Sequence, residues 1–111
     1  MATTVYLFNS SGNWIAFRNG KYLFNTDGDW IGWFPFNNDI SVDVDGKYLG
    51  TIYLKNRLLV DVDQSYIPYP GYPGYPGYPG YPGYPGFIGY CGYIPNTNDV
   101  SEDKLKGRRY E

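Results

Sequence analysis

The chain has 111 residues, with 15 Gly, 9 Pro, 14 Tyr, one Cys, no His and a formal charge of −2. That length accommodates one small domain plus a tail. Without histidine the commonest general acid–base and metal ligand is missing, a single Cys makes no intrachain disulfide or zinc cluster, and the lack of basic excess argues against nucleic acid as a partner.

Met1-Ala-Thr-Thr lacks the basic start and long apolar stretch of a secretory signal, and no run of about 18 apolar residues occurs. The expectation is therefore no membrane span and a cytoplasmic location by default, with signal-independent export as the other route. Strand-like sequence begins at Val5. Tyr6-Leu-Phe-Asn-Ser-Ser-Gly-Asn-Trp-Ile-Ala-Phe17 is followed by a near copy, Tyr22-Leu-Phe-Asn-Thr-Asp-Gly-Asp-Trp-Ile-Gly-Trp33. Ile40-Ser-Val-Asp-Val-Asp-Gly-Lys-Tyr-Leu-Gly-Thr51 repeats the pattern about 18 residues on, and Leu58-Leu-Val-Asp-Val-Asp-Gln-Ser-Tyr-Ile-Pro68 repeats it again with Gln64 in place of glycine. Such self-similarity marks one supersecondary unit used four times.

Each unit reads as a β-hairpin. Asp27-Gly28 and Asp45-Gly46 suit tight turns, and β-branched and aromatic residues alternate on either side. The predicted fold is all-β, about eight short strands over 4–68, with four hairpins around a pseudo-fourfold axis like a very small propeller. Ala16, Gly32, Gly50 and Pro68 occupy one position of the repeat. A residue without bulk there fits either close backbone approach near the axis or a bulge in each second strand.

The Leu-Phe-Asn-x-x-Gly-x-Trp-Ile-Gly and Val-Asp-Gly-Lys-Tyr-Leu-Gly segments, ending in Arg57-Leu-Leu, resemble the four-fold β-flower domain family over about residues 4–63. The resemblance implies four hairpins arranged as petals. It brings no catalytic residues.

Residues 69–86 are six copies of Tyr-Pro-Gly. Proline and glycine at every third position exclude helix and ordinary strand, and the expectation is polyproline II or disorder. Its six tyrosines, Tyr69, Tyr72, Tyr75, Tyr78, Tyr81 and Tyr84, are candidate contact residues, because tyrosine offers a flat apolar area at low entropic cost. A spacer grown by repeat slippage explains the same sequence without a partner. Residues 87–111 read as a junction and a charged end, with Lys104–Arg109 as a solvated basic cluster interleaved with acid.

Candidate chemistry is sparse. Asp43-x-Asp45, Asp61-x-Asp63 and Asp27-Gly-Asp29 resemble pieces of calcium loops, but turn formation explains them without a metal. Trp14, Trp30 and Trp33 are candidate stacking platforms for a sugar, although their fixed place in the repeat suits core packing. Cys91 has no neighbouring cation to activate it. No nucleophile–base pair, phosphate loop or cofactor fingerprint appears, so the expected protein is not an enzyme and carries no cofactor or metal. The expected role is a structural or protein-interaction module in which the tail mediates self-association or docking to another protein. The alternative is a carbohydrate- or small-ligand-binding module.

Overall fold

The Asn or Asp that opens each turn organises its hairpin. In the first three units the hairpins are β1 (Thr4–Phe8) with β2 (Trp14–Asn19), β3 (Tyr22–Asn25) with β4 (Trp30–Trp33), and β5 (Ile40–Asp43) with β6 (Tyr48–Tyr53). Asn9 Oδ1 accepts the Asn13 amide at 2.9 Å, Asn25 Oδ1 accepts those of Asp27 and Asp29, and Asp43 Oδ1 accepts those of Asp45 and Lys47. These side chains supply acceptors that a tight turn leaves wanting. Gly12, Gly28 and Gly46 each donate back to the opening residue's carbonyl at 3.0–3.1 Å.

The fourth unit starts alike. β7 (Arg57–Asp61) leads into a turn where Asp61 Oδ1 accepts from Asp63 and Gln64 donates to the Asp61 carbonyl. The chain then departs, and the expected return strand within 4–68 does not form. β8 (Thr97–Asp99) pairs antiparallel with β7 in its place, about 30 residues later, in the register Leu59↔Asp99, Val60↔Asn98 and Asp61↔Thr97. A 3₁₀ helix (Glu102–Leu105) follows. The β domain therefore extends beyond residue 68 and takes in most of the segment expected to be a loose end. This computed structural model describes residues 4–64 and 66–106; the Met1 end and the Lys104–Arg109 cluster from 107 onward lie outside the described residues.

Sequential antiparallel pairing runs from β1 to β8, and a parallel contact between Phe8 of β1 and Arg57 of β7 closes the first seven strands into a barrel. The ring has four petals, as the repeat predicts. The fold is all-β and almost free of helix.

Both readings of the small-residue position hold at Gly32 and Gly50, whereas Pro68 lies in the strap and belongs to no strand. The register slips between Leu7 and Phe8, between Leu23 and Phe24, and between Ser41 and Val42. Ile15, Ile31 and Leu49 are the extra residues opposite those steps, a bulge at the same point of each of the first three petals. The small residue follows it. A Cβ on Gly32 would collide with the Val42 carbonyl oxygen of the next petal, and one on Gly50 would come within 3.2 Å of the Leu59 carbonyl oxygen. Absence of a side chain lets neighbouring hairpins close up around the axis. The main core holds Leu7, Ala16, Leu23, Ile31, Phe34, Leu49, Ile52, Leu58 and Val100; Phe17, Phe24 and Trp30 form a second cluster.

Candidate functional site

Between the fourth turn and β8 the chain makes a circuit around the outside of the barrel. Residues 66–94 contain no helix, strand or turn. Every third residue is a glycine with φ between 82° and 93°, from Gly71 through Gly92. Polyproline II requires φ near −75° at each residue, so the strap is an extended chain of a different kind. A Cβ on the strap glycines would meet nothing within 4 Å. Glycine is there for its dihedral angle and not for room.

The strap follows a fixed register against the petals. Trp14 of the first hairpin lies 5.9 Å from the Tyr81 ring and 6.0 Å from that of Tyr84. Trp30 of the second lies 5.7 Å from Tyr72 and 5.8 Å from Tyr75. The Tyr6 hydroxyl donates to the Pro82 carbonyl at 2.7 Å, and Tyr22 reaches the Pro73 carbonyl at 3.5 Å. Moving forward one petal, sixteen residues, moves the strap contact back nine residues, or three triplets. Two turn glycines continue the rule, Gly46 facing Tyr69 and Gly28 facing Tyr78, nine residues apart; Gly12 departs from it, facing the Gly89 backbone eleven residues further on. Trp14 and Trp30 also repeat an internal bond, each Nε1 donating at 2.7 Å to the carbonyl two residues ahead, which fixes the indole for its tyrosine pair.

The end of the circuit is pinned by backbone. Ile88 donates to the Gly12 carbonyl at 3.1 Å and Cys91 to that of Ser10 at 3.0 Å. Arg57, 7% exposed, points its Nη1 at three carbonyl oxygens, those of Asn9 (3.1 Å), Ser10 (3.4 Å) and Gly89 (2.7 Å). One guanidinium thus ties β7, the first turn and the strap. Asp99 of β8 receives the Ser10 amide and hydroxyl at 2.8 and 3.0 Å. In the terminal helix, Leu105 accepts from Asn25 Nδ2 at 2.9 Å and Lys104 pairs with Asp43 at 3.4 Å.

All six candidate tyrosines are on the strap, each showing 54–70% of its surface, with Tyr66 (88%) and Tyr93 (81%) more open still. Their inner contacts go to the chain's own hairpins. The tryptophans sit differently. Trp30 and Trp33 are buried, at 2% and 7% exposure, and Trp14 is half-buried beneath two tyrosines. Neither Trp30 nor Trp33 presents an open indole face for a sugar ring. The Trp33 Nε1 is buried without an acceptor among the described residues. The aspartates of the calcium-like fragments include Asp43 and Asp61, whose Oδ1 atoms are occupied by turn amides.

Sequence reasoning missed Arg57, and it missed that Phe87-Ile-Gly89 and Tyr90-Cys-Gly92 continue the aromatic-x-Gly triplet. The glycine spacing was the available signal. The strap and the first turn also yield an expected result. Gly12→Ala costs about 3 kcal/mol, because a methyl there meets the Gly89 backbone on top of a positive φ of 98°. Gly28→Ala costs roughly half as much, since its obstacle is the movable Tyr78 ring. Urea midpoints of the two variants check the order.

Burial, together with the nearby Asp61 carboxylate and Tyr48, raises the Tyr53 phenol above its ordinary pKa of 10.0. The folded chain therefore keeps a proton that the unfolded chain releases. That contribution is complete below pH 10 and is lost as the pH rises through the folded value. Tyr53→Phe is expected to flatten the alkaline fall in stability and to remove one late-titrating phenol from the ultraviolet titration.

Comparison with curated proteins and with solved structures gives no significant match. The family model described as 4-fold beta flower protein matches residues 1–86, which covers β1 to β7 and the six Tyr-Pro-Gly triplets. By that match and by its four petals, the chain belongs to the 4-fold beta flower protein family.

Proposed function

We propose that this protein is a non-enzymatic structural or protein-interaction module: the barrel is a rigid head, and the outward face of the strap contacts a second copy or another protein. The observation that carries this reading is the distribution of exposed apolar side chains. Among the described residues, every large hydrophobic that is well exposed lies between Tyr66 and Tyr93, apart from Phe36, Leu54 and Val62. Contiguous exposed apolar surface is a mark of interaction sites, and tyrosine suits them because it combines ring area with a hydroxyl. The strap holds those rings at regular intervals on a backbone already ordered by its inner contacts, which lowers the entropic cost of binding.

The carbohydrate reading draws no support from Trp14 and Trp30, which serve as seats of the strap, or from Trp33, which is buried. Among the described residues no group of three potential metal ligands is gathered, and no helix is long and apolar enough to cross a membrane.

The test is light scattering on the full chain from about 1 μM to about 1 mM, beside the variant Tyr66→Ser/Tyr90→Ser/Tyr93→Ser. These three rings are among the most exposed of the strap. The expected result is concentration-dependent association that the variant weakens at least about tenfold, the equivalent of 1.4 kcal/mol. A chain that stays monomeric throughout, and that like the variant captures no other protein, contradicts the reading.

A further inference from the structure

We infer that the rim of the barrel is a recognition surface for Tyr-Pro-Gly repeats, and that its occupant in trans is the strap of a second copy of this chain. This concerns the inner face of the strap and the petals beneath it, and does not depend on what the outer face contacts.

The seats are built from the petals alone, one on each of the first two. In the first, the Tyr6 hydroxyl offers a hydrogen bond to a proline carbonyl, and Trp14 stands between two tyrosine rings. In the second, Tyr22 and Trp30 repeat both contacts on the strap segment three triplets earlier. Each seat therefore reads the same features: the carbonyl of a proline, a residue with no N–H of its own to pair along a strand, and two rings at three-residue spacing against an indole. The bare turn glycines add a third feature. Gly28 and Gly46 admit Tyr78 and Tyr69 where a Cβ would stand 2.6 and 2.8 Å from a ring carbon. A seat that reads a repeating sequence does not distinguish its own strap from an identical one.

Occupancy in cis is favoured because the strap is tethered at both ends, to β7 and to β8. A tether of this length gives an effective concentration on the order of millimolar. Exchange between copies is therefore expected when the chain refolds at comparable concentration, and the exchanged pair is closed and symmetric, each barrel wearing the other's strap.

The direct experiment uses a full-length variant in which residues 69–86 become a Gly-Ser sequence of equal length, leaving β8 and the terminal helix attached. Near-ultraviolet circular dichroism reads whether it folds. If it does, a synthetic peptide of six Tyr-Pro-Gly repeats is expected to bind it saturably, with a change in tryptophan fluorescence. A peptide of six Ala-Pro-Gly repeats is expected to bind at least about tenfold more weakly, as loss of several ring contacts demands. A folded variant that ignores the tyrosine peptide, or binds both alike, overturns the inference.

If the variant does not fold, two differently tagged native chains are unfolded together and refolded at about 10 μM and at about 1 mM, then diluted before capture through one tag. Association through the outer face dissolves on dilution, whereas exchanged straps stay locked. Mixed pairs that survive dilution at least about tenfold more often from the concentrated sample support the inference. Their absence from both samples overturns it.

Discussion

A chain ending at Gln64 is expected to be unfolded at room temperature, although it contains three whole copies of the hairpin motif and the first strand and turn of the fourth. The truncation removes β8, so the edge of β7 that pairs with it through Leu59, Val60 and Asp61 is left open. It removes Val100 from the main core, and Leu105, which packs against that core. Burial of each such side chain is worth about 1.5–3 kcal/mol. It also removes both hydrogen bonds from Ser10 to Asp99, the Asn25 bond to Leu105 and every contact of the strap. A small domain has a total stability of about 5–15 kcal/mol, so losses of this size consume most of it. Amide dispersion and near-ultraviolet circular dichroism give the readout. A cooperative melt close to that of the full chain would show that the petals stand without their belt.

Arg57→Met is expected to cost about 3 kcal/mol or more, although the replacement nearly fills the same volume. The guanidinium is buried and reaches three backbone carbonyls belonging to two segments far apart in sequence. A charged donor to a carbonyl contributes more than a neutral one; the Asn9 and Ser10 carbonyls keep the Gly12 and Cys91 amides, so the loss falls chiefly on the 2.7 Å bond to Gly89 and on the tie between β7 and the strap. Arg57→Lys is expected to recover part of this loss, because one ammonium cannot serve all three oxygens with the planar geometry of arginine. Urea denaturation of the three proteins measures it, and a cost below about 1 kcal/mol for the methionine variant contradicts the assigned role.

The petals were legible because the turn chemistry is local. Asn9, Asn25, Asp43 and Asp61 each hold a turn with their own carboxyl or amide oxygen, and the residue types at those positions announce it. The place of the small residue was legible too, as Gly32 and Gly50 are needed where the next petal's carbonyl approaches. The strand that completes the fourth petal was not. β8 is three residues, Thr97-Asn-Asp99, two of them polar and poor strand formers, and it pairs with β7 because the circuit of the strap delivers it there. No local pattern announces a strand whose existence depends on a path of about thirty residues. The strap itself reads as a free segment when its triplets are considered alone. Its order comes from two commensurate periods, sixteen to eighteen residues in the petals and three in the strap, brought into phase at three triplets per petal. The tryptophans follow from the same cause: in isolation they look like ligand platforms, but Trp14 and Trp30 are already covered by tyrosines from their own chain.

Nuclear Overhauser contacts between indole and phenol protons, recorded on the dilute monomer, test the wrapped strap most directly. Cross-peaks are expected from Trp30 to Tyr72 and Tyr75 and from Trp14 to Tyr81 and Tyr84, in that reversed order along the chain. Tyrosine rings with the shifts of an unstructured peptide, and no contact to either indole, would contradict it.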